Sequence, residues 1–155
     1  MVVRSYRSAD LDEVTAMWRA SRRAAFHYVP LHQAYTPDDD LRFFRDVIAA
    51  EYTVWLAEHD RRIVGFMALN GAPAADSGQV VLEQLFIAVD RQRQGVGTLL
   101  LTVAKQLAPR GLRLFTFQRN AAARAFYERH GFALLRFGVS PAPESEPDIE
   151  YQWVP

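Results

Sequence analysis

The sequence predicts an α/β fold, a mixed sheet with helices on both faces, on three observations. Seven short stretches have the apolar content and length of strands: Val2–Tyr6, Thr53–Glu58, Ile63–Leu69, one starting near Gln79, Leu112–Phe117, Phe132–Phe137 and Asp148–Val154. Helical periodicity separates the first from the second, the fourth from the fifth and the fifth from the sixth. The segment Leu82–Leu101, LEQLFIAVDRQRQGVGTLLL, runs from strand through a basic turn into a glycine-bearing helix without interruption. The implied order is β-α-α-β-β-β-α-β-α-β-β, with the helix-linked strands expected to run parallel.

Each helix has its own start or stop. Asp10 with Glu13 three residues on has the form of a capping box, followed by the stripe Leu11, Val14, Trp18 and Ala25. Phe26–Tyr35, FHYVPLHQAY, interrupts that pattern with Pro30 and concentrates aromatic rings and histidines. Thr36-Pro37-Asp38 restarts a helix, with threonine at the N-cap, proline at the first position and acids in the first turn. Leu41, Phe44, Val47 and Ile48 form its apolar face. Between the second and third strands, His59-Asp60-Arg61 marks a hairpin turn, and Gly71–Gly78 is a loop of small residues. The helix after Gly95 continues through Leu99, Leu100, Val103 and Leu107. Asn120 opens the last helix and Gly131 closes it as a left-handed cap.

Composition narrows the function. The 155 residues suit one domain, 1–155, with half of them apolar and 23% charged. Eighteen basic residues balance eighteen acidic ones, which disfavours a nucleic-acid scaffold. No apolar run is long enough for a membrane span and no signal peptide is evident, so no membrane partner is expected and the cytoplasm is the expected location. Without cysteine there is no disulfide, no thiolate metal site and no covalent cysteine intermediate. His27, His32, His59 and His130 lack metal-ligand spacing, so no metal is expected; His59 and His130 read as solvated.

Leu82–Leu101 has the physical character of a phosphate site. The first N–H groups of a helix have no internal partner and the helix dipole favours an anion there. Gly95-Val96-Gly97 is neither a Walker A loop nor a dinucleotide fingerprint, since Leu100 stands where a third glycine would be.

Gln92-Arg-Gln-Gly95-Val-Gly97 matches the Gln/Arg-x-x-Gly-x-Gly/Ala pattern of the GCN5-related N-acetyltransferases (GNAT). Asn120-Ala-Ala-Ala-Arg-Ala-Phe126-Tyr127-Glu-Arg-His-Gly131-Phe132 resembles that family's second pattern. Order and spacing agree as well, and the resemblance spans nearly the whole chain. Two residues depart from it: Val89 where many relatives have proline, and Arg93 where many have glycine.

The resemblance implies a GNAT-like acyl-CoA N-acyltransferase fold and acetyl-CoA as co-substrate. Backbone groups of Leu85, Phe86 and Ile87 would hold the pantetheine arm, and Gln92, Arg93, Gln94, Gly95, Val96, Gly97 and Thr98 the pyrophosphate. Asn120 would reach the coenzyme's arm, act as a helix cap, or do both. An N–H near Phe86 or Ile87 would stabilise the thioester oxygen at a bulge.

An amine with a pKa around 10 is about one part in a thousand neutral at pH 7, so a base is needed. Glu83 is the candidate, placed by strict strand alternation on one face with Val81, Leu85 and Ile87. The other reading is a glutamate paired to arginine or partly solvated. Tyr127 is the candidate acid, against the alternative of an aromatic pair with Phe126 that only packs. Phe26, His27, Tyr28 and Tyr35 are candidates for the acceptor site, or for core and hinge roles. Glu144, Glu146, Asp148 and Glu150 make an acidic end that suits a cationic acceptor or is solvated surface. The expected activity is direct acetyl transfer to a primary amine, and the enclosed aromatic segment and balanced charge point to a small-molecule amine as the acceptor. Alternatives are a protein N-terminus or lysine as acceptor, or a non-catalytic acyl-CoA-binding module. Similar proteins also suggest a homodimer through the last strands.

Overall fold

The computed structural model describes residues 1–72 and 78–155, so most of the small-residue loop lies outside the described residues. Seven strands form one sheet in the order β1-β2-β3-β4-β5-β7-β6. They are β1 (Val2–Ser5), β2 (Thr53–His59), β3 (Arg62–Asn70), β4 (Val80–Ile87), β5 (Leu112–Phe117), β6 (Ala133–Val139) and β7 (Pro147–Trp153). The helices are α1 (Leu11–Ala25), α2 (Pro30–Ala34), α3 (Pro37–Phe43), α4 (Ala49–Glu51), α5 (Val96–Leu107) and α6 (Ala121–Arg129), with a π-helical segment, Phe44–Ile48, joining α3 to α4.

Both sheet faces are covered, as the apolar stripes require. Val14 and Trp18 of α1 pack with Phe44, Ile48, Leu56 and Phe66 on one face. On the other, Val96, Leu100, Leu101 and Ala104 of α5 pack with Val64, Leu82, Leu114 and Tyr127. The β2–β3 hairpin closes through Asp60 and Arg61, both at positive φ (51° and 62°), a twist that matches the strands it joins. Thr36 caps α3 as expected: its hydroxyl accepts from the Asp39 N–H at 3.1 Å and the Asp39 carboxylate accepts from the Thr36 N–H at 2.9 Å.

The fold corrects several expectations. β1 and β2 are joined by helices yet pair antiparallel, because several successive helical segments, α1 to α4, lie between them in place of the single crossover helix of a parallel unit. The expectation holds for β4 and β5, which are joined by α5 and pair in parallel, and for β5 and β6, which are joined by α6 and run parallel on either side of β7. Asp10 and Glu13 do not form a capping box. Asp10 accepts from the Arg7 N–H at 2.8 Å and pairs with Arg4 at 2.9 Å, which holds its carboxyl below the usual range, while Glu13 accepts from the Ile63 N–H at 2.6 Å. Residues Pro30–Ala34 form a short helix inside the aromatic segment, since proline at a first helical position does not break a turn. The acidic end is not solvated: Glu146, Asp148 and Glu150 are all buried.

Candidate active site

β4 and β5 pair only at Val80↔Leu112 and Val81↔Arg113. Beyond these, β5 stays paired to β7 as far as Phe117, and β4 stays paired to β3 as far as Ile87. The sheet therefore opens between β4 and β5 along Leu82–Ile87, leaving one edge of β4 without a strand partner. The Ala88 N–H donates to the Val64 carbonyl at 2.9 Å, so by the alternation of an antiparallel ladder Phe86 exchanges its bonds with β3. Leu85 and Ile87 then direct their N–H and C=O groups toward the opening. The Ile87 carbonyl is taken by Ser21, buried on α1, whose hydroxyl donates at 2.8 Å, and by the Gln92 amide at 3.3 Å. Ser21 was not among the sequence candidates; a lone serine on a helical stripe carries no signal of such a contact.

Glu83 occupies a bulge. Ala68 pairs with Gln84 and Leu69 with Leu82, which leaves Glu83 as the extra residue. The bulge shifts the alternation, so Leu82, Leu85 and Ile87 all share the α5 face. Glu83 instead lies beside Asn70, whose amide donates to it at 3.4 Å, and near Tyr52, whose phenol is raised by burial first and by Glu83 second. The expectation of one face with Leu85 and Ile87 fails for this reason. Glu83 is half-buried, and no arginine pairs with it among the described residues.

Tyr127 approaches from the opposite face. It is 8% exposed, clustered with Leu82, Leu114 and the partly buried Leu85, residues on both sides of the opening. Burial pushes its phenol above the ordinary value. Phe126 turns to α5 instead: a Cβ on Gly97 would lie 3.3 Å from its ring. Asn120 is the N-cap of α6, its side-chain oxygen accepting from the Ala123 N–H at 3.2 Å.

The turn into α5 is held by Arg62–Asp90 at 2.8 Å, by Arg91 against His59 at 3.0 Å and by Gln94 donating to the Asp90 carbonyl at 3.2 Å. Arg93 (φ 61°) and Gly95 (φ 86°) both take left-handed backbone, so glycine, common in the family at 93, would relieve strain there. Beyond its chain neighbours, no atom of the described residues lies within 4 Å of where a Gly95 Cβ would stand. The first turn of α5 thus offers its N–H groups on an open surface suited to a pyrophosphate. Gln92, Arg93, Gln94 and Thr98 are exposed around it, whereas the Val96 side chain is buried and can contribute only backbone. His130 is not solvated as expected. It bridges α6 and α5, with Nδ1 at 2.8 Å from the Phe126 carbonyl and Nε2 at 3.1 Å from the Thr98 hydroxyl.

Of the acceptor candidates, Phe26 lies over the opening, its ring 5.9 Å from Phe86 on β4 and 4.8 Å from Phe117 on β5. Tyr28 stacks beneath the Arg119 guanidinium at 4.3 Å. Tyr35 stands edge-on to His32 at 6.0 Å. His27 is exposed and, among the described residues, meets the Tyr28 ring and the Ala24 carbonyl. His32, which the sequence does not single out, packs against both Phe26 and Phe117 and contacts Glu144 from the loop before β7. Among the described residues no group of His, Asp and Glu could hold a metal, and no helix is long and apolar enough to cross a membrane.

Residues 14–132 match the model of the acetyltransferase (GNAT) family. The chain belongs to this family. It is 31% identical to peptidyl-lysine N-acetyltransferase YjaB of Salmonella typhimurium over 84% of this chain and 81% of that protein. It is 25% identical to peptidyl-lysine N-acetyltransferase YiaC of Escherichia coli over 86% of this chain and 84% of that protein. PaiA N-acetyltransferase from Thermoplasma acidophilum, solved with coenzyme A, superposes with a TM-score of 0.70 over 100% of both chains at 16% identity. The GNAT chain described here is an acetyl-CoA-dependent N-acetyltransferase, and acetyl-CoA is its co-substrate. The opened strand edge and the uncovered N-terminus of α5 fit that molecule's arm and pyrophosphate.

Proposed function

We propose that this enzyme acetylates the primary amine of a lysine-type side chain by direct attack, with Glu83 as base and Tyr127 as hydrogen-bond donor to the sulfur, which leaves as the thiolate. The observation that carries this reading is the opening between β4 and β5, with Glu83 on one sheet face and Tyr127 on the other. Acetyl-CoA supplies an activated thioester when bound. The N–H groups of β4 that point into the opening, those of Leu85 and Ile87, are placed to donate to its carbonyl oxygen. Leu85, Phe86 and Ile87 would flank the pantetheine arm, residues Gln92–Thr98 would hold the pyrophosphate, and Asn120 would lend its free amide to the arm.

Glu83 takes a proton from the incoming amine, directly or through water, on the side where Phe26, Phe86 and Phe117 form the wall. Tyr127 remains protonated at neutral pH because its phenol is raised. Full transfer to a thiolate of pKa about 8.5 from a phenol raised above about 10 would be uphill by more than about 2 kcal/mol. Its role is therefore a hydrogen bond that stabilises charge on sulfur. A nucleophile entering from one face and a leaving group held from the other make a linear path through the sheet.

The lysine reading is supported by the chain's relatives YjaB and YiaC, both peptidyl-lysine N-acetyltransferases. A small-molecule amine is the second reading, favoured by the His32–Glu144 contact that narrows the acceptor side. Leu135, Phe137 and Val139, exposed on the outer strand β6, support pairing with a second copy, which sedimentation at several concentrations tests. For the chemistry, turnover of Glu83→Gln on lysine peptides and small amines should fall about 10²- to 10⁴-fold at pH 7. The deficit should shrink as pH nears the amine's own pKa. Parent-like rates at pH 7 would remove Glu83 from the mechanism.

A further inference from the structure

The acidic end of the chain carries four carboxylates, and three have partners. Glu146 accepts from Arg119 at 3.2 Å, Glu150 pairs with Arg113 and lies 3.5 Å from Arg136, and Glu144 meets His32. Asp148 is 8% exposed, and among the described residues its carboxylate has neither a hydrogen bond nor an ion pair. Its register neighbours are Phe117 on β5 and Gly138 on β6. A Cβ on Gly138 would come within 3.0 Å of Asp148 Oδ1, so glycine there leaves the carboxylate its room. Burial, and secondarily Glu144, raises its pKa. The residue is largely covered, yet its unpaired oxygens still reach solvent, so a cation can approach them and offset the hydration they have lost.

Phe117, next to Asp148, packs on Phe26, and Phe26 on Phe86, so an aromatic wall leads from the opening to this carboxylate. Aromatic faces ending at an anion are the surroundings an alkylammonium or guanidinium selects. The nitrogen concerned is not the one that reacts. Glu83 already serves the reacting amine at the opening, and Asp148 stands on β7, with the whole of β5 between it and the opening.

We propose that Asp148 is a specificity-determining residue that binds a second cationic nitrogen of the acceptor, an alkylammonium or guanidinium beside the amine that is acetylated. The proposal rests on the acetyl-transfer reading above. Two sources share this chemistry: a small diamine, and a lysine with a basic neighbour in a peptide.

The test compares kcat/KM of the parent and Asp148→Asn on two pairs, 1,5-diaminopentane against 1-aminopentane and Arg-Lys against Gln-Lys peptides. The parent should prefer the dicationic member of at least one pair by about tenfold or more, and the variant should retain less than about a third of that preference. The pair that shows the effect identifies the source. No preference in the parent, or a preference that survives the substitution, overturns the proposal. If the parent acetylates none of the four, the lysine-type acceptor reading fails, and calorimetry of 1,5-diaminopentane with the CoA-saturated protein decides on Asp148 separately. Binding weakened about tenfold in the variant supports the site, and equal or undetectable binding overturns it. Should the Asn variant not fold, Asp148→Ser serves in the same assays.

Discussion

Replacing Tyr127 with phenylalanine removes one oxygen from a side chain that is 8% exposed. The rings around it, Phe126 at 5.3 Å, Phe132 at 5.5 Å and Tyr151 at 6.4 Å, keep their packing. The Tyr151 hydroxyl donates to Glu128 and accepts from Arg124, whereas the Tyr127 hydroxyl has no protein partner among the described residues. Its loss therefore orphans nothing. The oxygen still reaches solvent, so no buried polar group is gained or lost and the variant should melt at about the parent temperature. In the reaction the same hydroxyl would donate to sulfur as charge builds there. A hydrogen bond to a charged group is worth about 1.5–3 kcal/mol, which corresponds to a fall in kcat of roughly 10- to 150-fold. Thiol release at saturating acetyl-CoA and acceptor, beside a thermal melt, reads both quantities. A kcat within about threefold of the parent would refute the donor role. A lowered melting temperature would refute the claim that the hydroxyl has no structural partner.

Further outcomes follow from other sites. Asp40 binds Arg19 at 2.7 Å and Arg22 at 2.9 Å, with the Arg22 and Asp40 side chains both 3% exposed; Asp40→Ala should cost about 3–5 kcal/mol in denaturant unfolding by stranding a buried guanidinium. Gly95→Ala places a side chain at φ 86°, which should cost about 1–2 kcal/mol and weaken CoA binding by calorimetry. Asp148 binds its proton more tightly folded than unfolded, so its charge lowers stability once pH rises through the folded value. Asp148→Asn should therefore melt higher than the parent at pH 7, with the gain vanishing as pH falls to about 4, and a lower melting temperature at pH 7 would contradict this.

What the sequence determined by itself was local or carried by short motifs. Thr36-Pro37 at the start of α3, Gly131 at the end of α6 and the glycines at the start of α5 state their conformations in residues adjacent along the chain. The two family motifs named the donor because they place backbone at a fixed distance from a helix start. Tertiary structure decided what depends on neighbours distant in sequence. The bulge at Glu83 arises from a mismatch with Ala68 and Leu69 on β3, and no pattern within β4 announces it. It moves the proposed base to the acceptor side, opposite Tyr127. Asp10 reads as a cap until Arg4 is seen beside it, and Glu150 as surface until Arg113 and Arg136 close over it. Asp148 looks like its acidic neighbours in sequence. Only packing, which gives the others partners and leaves this one buried at the end of an aromatic wall, distinguishes it.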